Sequence, residues 1–206
     1  MQESRPEKSA DPKSIILELK RKSIHAVMVV IPLWIYFMPP RTADIGLIIA
    51  SMATIAFDVW RLSDNKLKRF FLRFFKSLIR RHEEEHLLGS TYFMIAALIS
   101  VLIFQKLIAI SALLFLVIGD TAAAVFGKKY GKPRYWGKSI EGSLACFLSC
   151  LIIGYIILKS EEGANQLVWA GALAAVIAEA VPAPMDDNMR VPIISGMIMQ
   201  IVAHFS

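Results

Sequence analysis

Cysteine is nearly absent from this chain of 206 residues: Cys146 and Cys150 are its two, four apart inside an apolar run and so on one helix face. That excludes a disulfide framework and offers no metal clip. No repeat at a fixed period is present, and no linker divides the chain, so a single compact bundle is expected. The first 14 residues lack the short charged start and apolar core of a signal peptide; they are polar, carry Pro6 and Pro12, and are expected to form a disordered cytoplasmic tail. Polarity itself is the last shortage. The hydrophobic fraction is 56% and the mean hydropathy +0.54, against roughly 45–50% apolar residues in soluble domains. An ordinary soluble domain is excluded and a membrane protein expected.

What is present is a series of apolar runs, at 24–38, 43–60, 90–105, 107–126, 141–158, 166–182 and 190–205. Read against the ~20 residues needed to cross a bilayer, with tolerance for shorter tilted segments, they predict an all-α polytopic protein of about seven transmembrane helices. Only Gln105 and Lys106 separate the third run from the fourth, but their joint length suits two spans. Of the 23 lysines and arginines, all but Arg41, Lys106 and Lys159 fall on one side of this arrangement. The positive-inside rule then puts the N-terminus in the cytoplasm and the C-terminus outside. The net charge of +6 flanks apolar spans, so anionic headgroups are the expected neighbours rather than nucleic acid. The expected organisation is a tail over residues 1–22 and one membrane-embedded bundle over 23–206.

Between the second and third runs, Leu67, Phe70, Phe71, Phe74, Phe75, Leu78 and Ile79 recur at helical spacing, with basic residues on the other face. This predicts an interfacial amphipathic helix over about 65–86, an anchor at the headgroups or a ramp for a lipid. His82-Glu83-Glu84-Glu85-His86 matches the H-E-x-x-H of zinc proteases. No third ligand follows it, and a charged turn leaving the interface is the plainer reading. Asp58 sits beside Trp60 and Arg61, a pattern expected of interface anchoring.

The chain is organised around residues 119–143. A run of apolar residues delivers Asp120, small residues follow, then a glycine-rich basic loop over about 127–141, and a second apolar run begins after Glu141. Glycine lets backbone N–H groups approach anionic oxygens, Lys138 supplies a point charge, and the following helix points its positive end at them, an arrangement suited to metal-bound polyphosphate. Gly137-Lys138-Ser139 looks like the second half of a P-loop, but position 132 is lysine where the first glycine should stand, and no strand precedes the loop. A topology signal alone would explain the lysines and not the carboxylates Asp120, Glu141 and Glu179, which stand near cytoplasmic ends of spans. Asp186-Asp187-Asn188 follows Pro182-Ala183-Pro184, which should end the sixth helix and expose the acids on a turn. Oxygen ligands of this kind suit Mg²⁺.

Asp120 followed by Gly127, Gly131 and Lys138-Ser139-x-Glu141-Gly142-Ser143 resembles the CTP-dependent lipid-alcohol kinases: dolichol kinase, phytol kinase and the CTP-using diacylglycerol kinases. Glu18-x-x-Arg21-Lys22-x-x-His25, and Glu179 followed by Asp186-Asp187-Asn188-x-x-Val-Pro192, fit the same family in order. Glutamates followed by Gly89-Ser-Thr-Tyr92-Phe93 do likewise. The phosphatidate cytidylyltransferases are more distant relatives, and their C-terminal Pro-Gly-His-Gly-Gly pattern is missing here.

The resemblance implies transfer of the γ-phosphoryl of CTP to the hydroxyl of a polyprenol, phytol, dolichol or diacylglycerol, with a divalent cation. It implies Asp120, Lys138 and Asp187 as catalytic residues. Gly127, Lys128, Gly131, Lys138, Ser139, Glu141 and Gly142 are expected to bind nucleotide, and Asp120, Asp186 and Asp187 to hold metal as two sides of one site. Lys22, His25, Glu179 and Asn188 are expected beside it. Cytidylyl transfer to a lipid phosphate, or a lipid carrier without enzymatic activity, are the alternatives; carriers keep their sites near the bilayer midplane, whereas these charges gather at one face.

Overall fold

The computed structural model describes residue 22 and residues 25–76, 78–132, 134–136 and 138–205. Residues 1–21 of the expected tail over 1–22, with Glu18 and Arg21, and Gly137 lie outside the described residues.

Each apolar run is helical. A helical turn at 25–27 leads into α1 (Val30–Phe37), followed by α2 (Pro40–Ser63), α3 (Asn65–Phe75) and a 3₁₀ turn (Arg81–Glu84). Next come α4 (Gly89–Ile103) and α5 (Lys106–Leu114), which runs through a π-helical turn (Phe115–Gly119) into α6 (Asp120–Tyr130). A two-stranded antiparallel ribbon, β1 (Arg134–Tyr135) and β2 (Lys138–Ser139), precedes α7 (Ile140–Leu158), α8 (Ala164–Ala180) and α9 (Asp187–Phe205).

Local chemistry sets the ends. Pro40 opens α2, where its missing N–H costs nothing. Asp64 caps α3, its Oδ1 accepting from the N–H of Lys66 at 2.6 Å. Ser139 caps α7 by accepting from the N–H of Gly142 at 3.1 Å. Pro182 and Pro184 follow α8 closely and prevent its continuation. Asp186 caps α9, accepting from the N–H of Asn188 at 2.9 Å.

Three helical stretches, Pro40–Ser63, Lys106–Tyr130 and Ile140–Leu158, are long and apolar enough to cross a membrane; His25–Phe37, Gly89–Ile103 and Ala164–Ala180 are shorter apolar helices. Their outer faces expose large apolar side chains, among them Ile49, Met52, Leu102, Ile152 and Leu173, which water would not tolerate over so wide an area. The chain is a helical membrane protein.

The α5 helix is the hub of the bundle. Every residue from Ile108 to Val117 is at most 3% exposed, as expected of a helix apolar all round. The α8 and α9 helices pack on each other, α6 and α8 on α7, and α9 on α4 and α5. Within lipid such contacts depend on close fit rather than on the hydrophobic effect. At Gly119 a Cβ would stand 2.9 Å from the sulfurs of Cys146 and Cys150, both buried free thiols. At Gly142 it would meet the carbonyl oxygen of Ala123 at 2.8 Å, so the backbones of α6 and α7 nearly touch.

Two expectations are corrected here. Asp58 and Arg61 do not anchor at the interface; both are fully buried. Arg61 Nε donates to Asp58 Oδ1 at 2.8 Å and its other nitrogens donate to the carbonyls of Glu83 and His86, while Asp58 Oδ2 accepts from Thr91 Oγ1 and the N–H of Leu88, each at 2.7 Å. Buried charge survives because every partner is supplied, and the result ties α2 to the 81–91 segment. Trp60 alone, 60% exposed, has the surface position expected of an anchor. The amphipathic helix is also shorter than the 65–86 expected: α3 stops at Phe75.

Candidate functional site

Asp120 is the first α-helical residue after the π turn. Thr121 Oγ1 donates back to the carbonyl of Val117 at 2.6 Å, closing the wide turn. Asp120 is nearly buried and pairs with Lys22, while His25 Nε2 stands 3.6 Å from the same oxygen, Oδ2. Lys22 and His25, from the start of the chain, thus meet Asp120 in the middle of a central helical stretch.

From Asp120 a cavity of about 260 Å³ runs outward along α6 to Gly127 and Lys128. Its other described walls are Lys22, Arg80, Lys138, Ser139, Gly142, Ser143 and Glu179. The α7 N-terminus borders it through Gly142 and Ser143, so a positive helix end is present for an anion. Lys138 pairs with Glu179, which is buried on α8, and stands 4.0 Å from Asp187 Oδ2. Burial works against the Lys138 ammonium, but Glu179, Asp187 and Asp120 together outweigh it and hold its pKa above that of free lysine. Glu179 Oε2 is buried with no hydrogen-bond partner among the described residues.

The loop differs from the expected 127–141. α6 continues to Tyr130, so Gly127 and Lys128 are helical, and the N–H of Gly131 caps the helix by donating to Gly127 O at 3.1 Å. Gly131 and Glu141 are not among the described cavity walls; Glu141 Oε1 accepts a long hydrogen bond, 3.5 Å, from the N–H of Lys132. A Cβ at Gly131 would lie 2.4 Å from Ser139 Oγ, so this glycine is required by packing.

The acidic pair is not exposed on a turn, as the sequence suggested. Asp186 is turned inward to cap α9; its Oδ1 also accepts from Asn188 Nδ2, and its Oδ2 lies 3.8 Å from Arg80 and from His82. Asp187 Oδ1 accepts from Arg190 Nη2 at 2.6 Å. These acids line two neighbouring cavities of about 400 and 200 Å³, and Arg80, Lys138 and Glu179 stand between them and the Asp120 cavity. Among the described residues no three His, Cys, Asp or Glu side chains gather closely enough to hold a metal by themselves. Cations separate the carboxylates instead.

Arg80 was not singled out by the sequence. It borders the Asp120 cavity, the Asp186 cavity and a third cavity, of about 290 Å³. Burial opposes its charge, and Asp186, Asp120, Asp187 and Glu83 more than offset this, so its pKa is raised further. The available signal was that Arg80 directly follows Ile79, the last apolar residue of the amphipathic pattern, with only Arg81 and His82 between it and the glutamates. Glu83, the would-be protease base, is engaged structurally: its oxygens accept from the N–H groups of Arg80 at 2.6 Å and Gly89 at 2.9 Å.

Sequence comparison bears on what this arrangement does. The chain is 33% identical over 184 residues to Uncharacterized protein RP860 of Rickettsia prowazekii, covering 85% of this chain and 90% of that one. It is 26% identical over 212 residues to CTP-dependent diacylglycerol kinase 1 of Saccharomyces cerevisiae, covering 90% and 73%. Identity to a probable chloroplastic phytol kinase of Zea mays is 33% over 142 residues, 60% of this chain and 46% of the maize protein. No family model matches the chain, and no solved structure does. With two kinds of CTP-dependent or lipid-alcohol kinase aligned over most of its length, the chain belongs to the CTP-dependent lipid kinase family.

Proposed function

We propose that this protein transfers the γ-phosphoryl group of CTP to the hydroxyl of a long-chain lipid alcohol at the cytoplasmic face of the membrane. The observation that carries the reading is a nearly buried carboxylate, Asp120, at the base of a cavity walled by Lys138, Ser139 and the α7 N-terminus, in a chain related to a CTP-dependent diacylglycerol kinase. Phosphoryl transfer is mostly positioning and charge neutralisation. Lys138, Lys128 and the positive N-terminal end of α7 would hold the phosphates, with Lys22 and Arg80 as further cations. As the acceptor oxygen bonds to the γ-phosphorus, the γ-phosphorus to bridging-oxygen bond breaks and CDP leaves with that oxygen. The hydroxyl proton passes to a carboxylate, for which Asp120 is the candidate.

The donor set suits Mg²⁺, a hard ion that needs only one or two carboxylates beside phosphate and water. Glu179 Oε2, buried and unpartnered among the described residues, fits such an ion in the cavity it shares with Asp120, the other candidate ligand, while Asp186 and Asp187, expected from the sequence as ligands, lie across Arg80 and Lys138. When bound, the ion would neutralise charge on the phosphates.

All seven apolar helices are assigned as spans, the shorter ones accommodated by local thinning of the bilayer, with residues 23–206 as one catalytic bundle behind a cytoplasmic tail. Lys132 precedes the ribbon that leads into α7, Lys159 directly follows α7, and both are exposed. A cysteine at 132 should react with an impermeant reagent only from the cytoplasm, and one at 159 only from outside. Equal sidedness would remove the α7 span, and reversal would invert the orientation.

The activity is tested by incubating purified protein with CTP labelled at the γ- or the α-phosphate, a panel of phytol, polyprenol, dolichol and diacylglycerol, and Mg²⁺ or chelator. The expected result is γ-label in lipid, dependent on the metal. Label from the α-position would indicate cytidylyl transfer, and no consumption of CTP would reject an enzymatic role.

A further inference from the structure

The third cavity at Arg80, of about 290 Å³, differs in kind from the one lined by Ser139 and Gly142. Its outer wall is apolar, formed by Met28, Phe71, Phe75, Leu78 and Leu88. Its polar lining holds three groups shared with the first cavity, Lys22, Arg80 and Asp120, together with His25, Glu83, Ser90 and Asn188. The two cavities therefore meet at Asp120, one approaching from the phosphate-binding side and the other from the interfacial helix.

The α3 helix is built for more than anchoring. Phe70 and Phe74 are 62% and 61% exposed and pair at 5.0 Å, which suffices for attachment to headgroups. Phe71 turns the other way. It stacks on Phe75 at 4.9 Å, meets Phe57 edge-on at 5.8 Å, and lies 5.5 Å beneath the guanidinium of Arg61. Arg61 is the fully buried arginine that also donates to the carbonyls of Glu83 and His86, so the apolar wall is braced to the bundle core rather than resting on lipid. At the polar end, His25 Nε2 is buried without a hydrogen-bond partner among the described residues.

We infer that this cavity is the acceptor subsite, taking the hydroxyl end of a lipid alcohol with its oxygen at Asp120 and His25 and its first carbons against Phe71, Phe75 and Leu78. The remainder of the chain passes the half-exposed Phe75 into the bilayer. His25 is a positioning group for the hydroxyl. This assignment rests on the proposed kinase reading and adds to it a route: acceptor from the lipid side of α3, nucleotide from the aqueous side of α7. The occupant is an alcohol with a long apolar tail, because Met28, Phe71, Phe75, Leu78 and Leu88 offer it apolar wall while Glu83, the further charged residue of the lining, is already engaged by the N–H groups of Arg80 and Gly89.

The test uses the full chain in lipid nanodiscs. A long-chain alcohol carrying a diazirine within its first few carbons should label residues of the 71–90 segment or Met28, and unlabelled alcohol should compete. Leu78→Trp and, separately, Phe75→Trp fill the cavity from two positions; each should raise the KM for the acceptor about tenfold or more while the KM for CTP changes less than about twofold. Labelling confined to other segments, or unchanged acceptor KM in both folded variants, would overturn the subsite. Equal rises in both KM values would assign the residues to general structure and also overturn it. If the wild type moves no phosphoryl group from CTP to any alcohol, the kinase reading fails on its own, and the labelling pattern still decides what the cavity binds.

Discussion

Asp120→Asn is expected to lower CTP-dependent phosphoryl transfer by about a thousandfold or more, the scale on which loss of a group acting on the transition state is felt. The change preserves size and removes charge. It also leaves Lys22, which is buried against Asp120, without its counter-ion, and breaking one side of a buried pair costs about 3 kcal/mol. Activity loss through instability is separated from loss of chemistry by Lys22→Met/Asp120→Asn, which removes both charges. The double variant should regain much of the thermal stability lost in Asp120→Asn, measured in detergent, and none of the activity. Near-normal transfer in the single variant would make Asp120 a structural counter-ion and sink the mechanism.

Lys138→Ala is expected to lower kcat/KM for CTP by about a hundredfold, whereas Lys129→Ala should change it less than about twofold. The contrast follows from position. Lys138 reaches into the cavity to Glu179 and Asp187, while Lys129 lies exposed near the ring of Tyr130. Because the folded-state pKa of Lys138 is raised above its unfolded value of 10.5, its contribution to stability is fully present below pH 10.5 and is lost only as pH rises through the folded value. Any fall of activity between pH 7 and 9 must therefore come from another group. Normal use of CTP by Lys138→Ala would reduce the basic loop to a topology signal.

The apolar helices were legible because a bilayer demands long apolar stretches whatever their neighbours, whereas Ser139, read from the sequence as part of a phosphate loop, turns out to cap α7. The carboxylate on the fifth helical stretch was legible as an anomaly, a charge with no local excuse. What could not be seen depended on pairing at long range. Asp58 and Arg61 read as interface residues because their partners, Leu88, Thr91 and the carbonyls of Glu83 and His86, lie 22 to 33 residues onward. Lys138 and Glu179 are 41 residues apart. Arg80 was hidden among similar basic residues on an amphipathic pattern, and only the end of α3 at Phe75 frees it to turn inward. The acids at 186 and 187 had the composition of a solvated turn, but a helix starting at Asp187 draws them into the protein.

The π turn at Phe115–Gly119 acts as an indexing device. Upstream of it the helix offers apolar surface to neighbours on all sides; downstream it must present Asp120 to Lys22 and Gly127 to Gly142 on chosen sides. An α-helix advances about 100° per residue, and a π turn absorbs roughly one additional residue. The angular phase between the two halves is thus held by a count of residues rather than by any side chain. Substitutions within 115–119 can be silent in this respect. Deleting one residue of the turn is silent too, because the α-helical register then runs straight through and keeps the carboxylate, the glycine and Lys128 near their present sides; a deletion between Asp120 and Gly127, where nothing absorbs it, turns Gly127 and Lys128 by about 100° relative to Asp120.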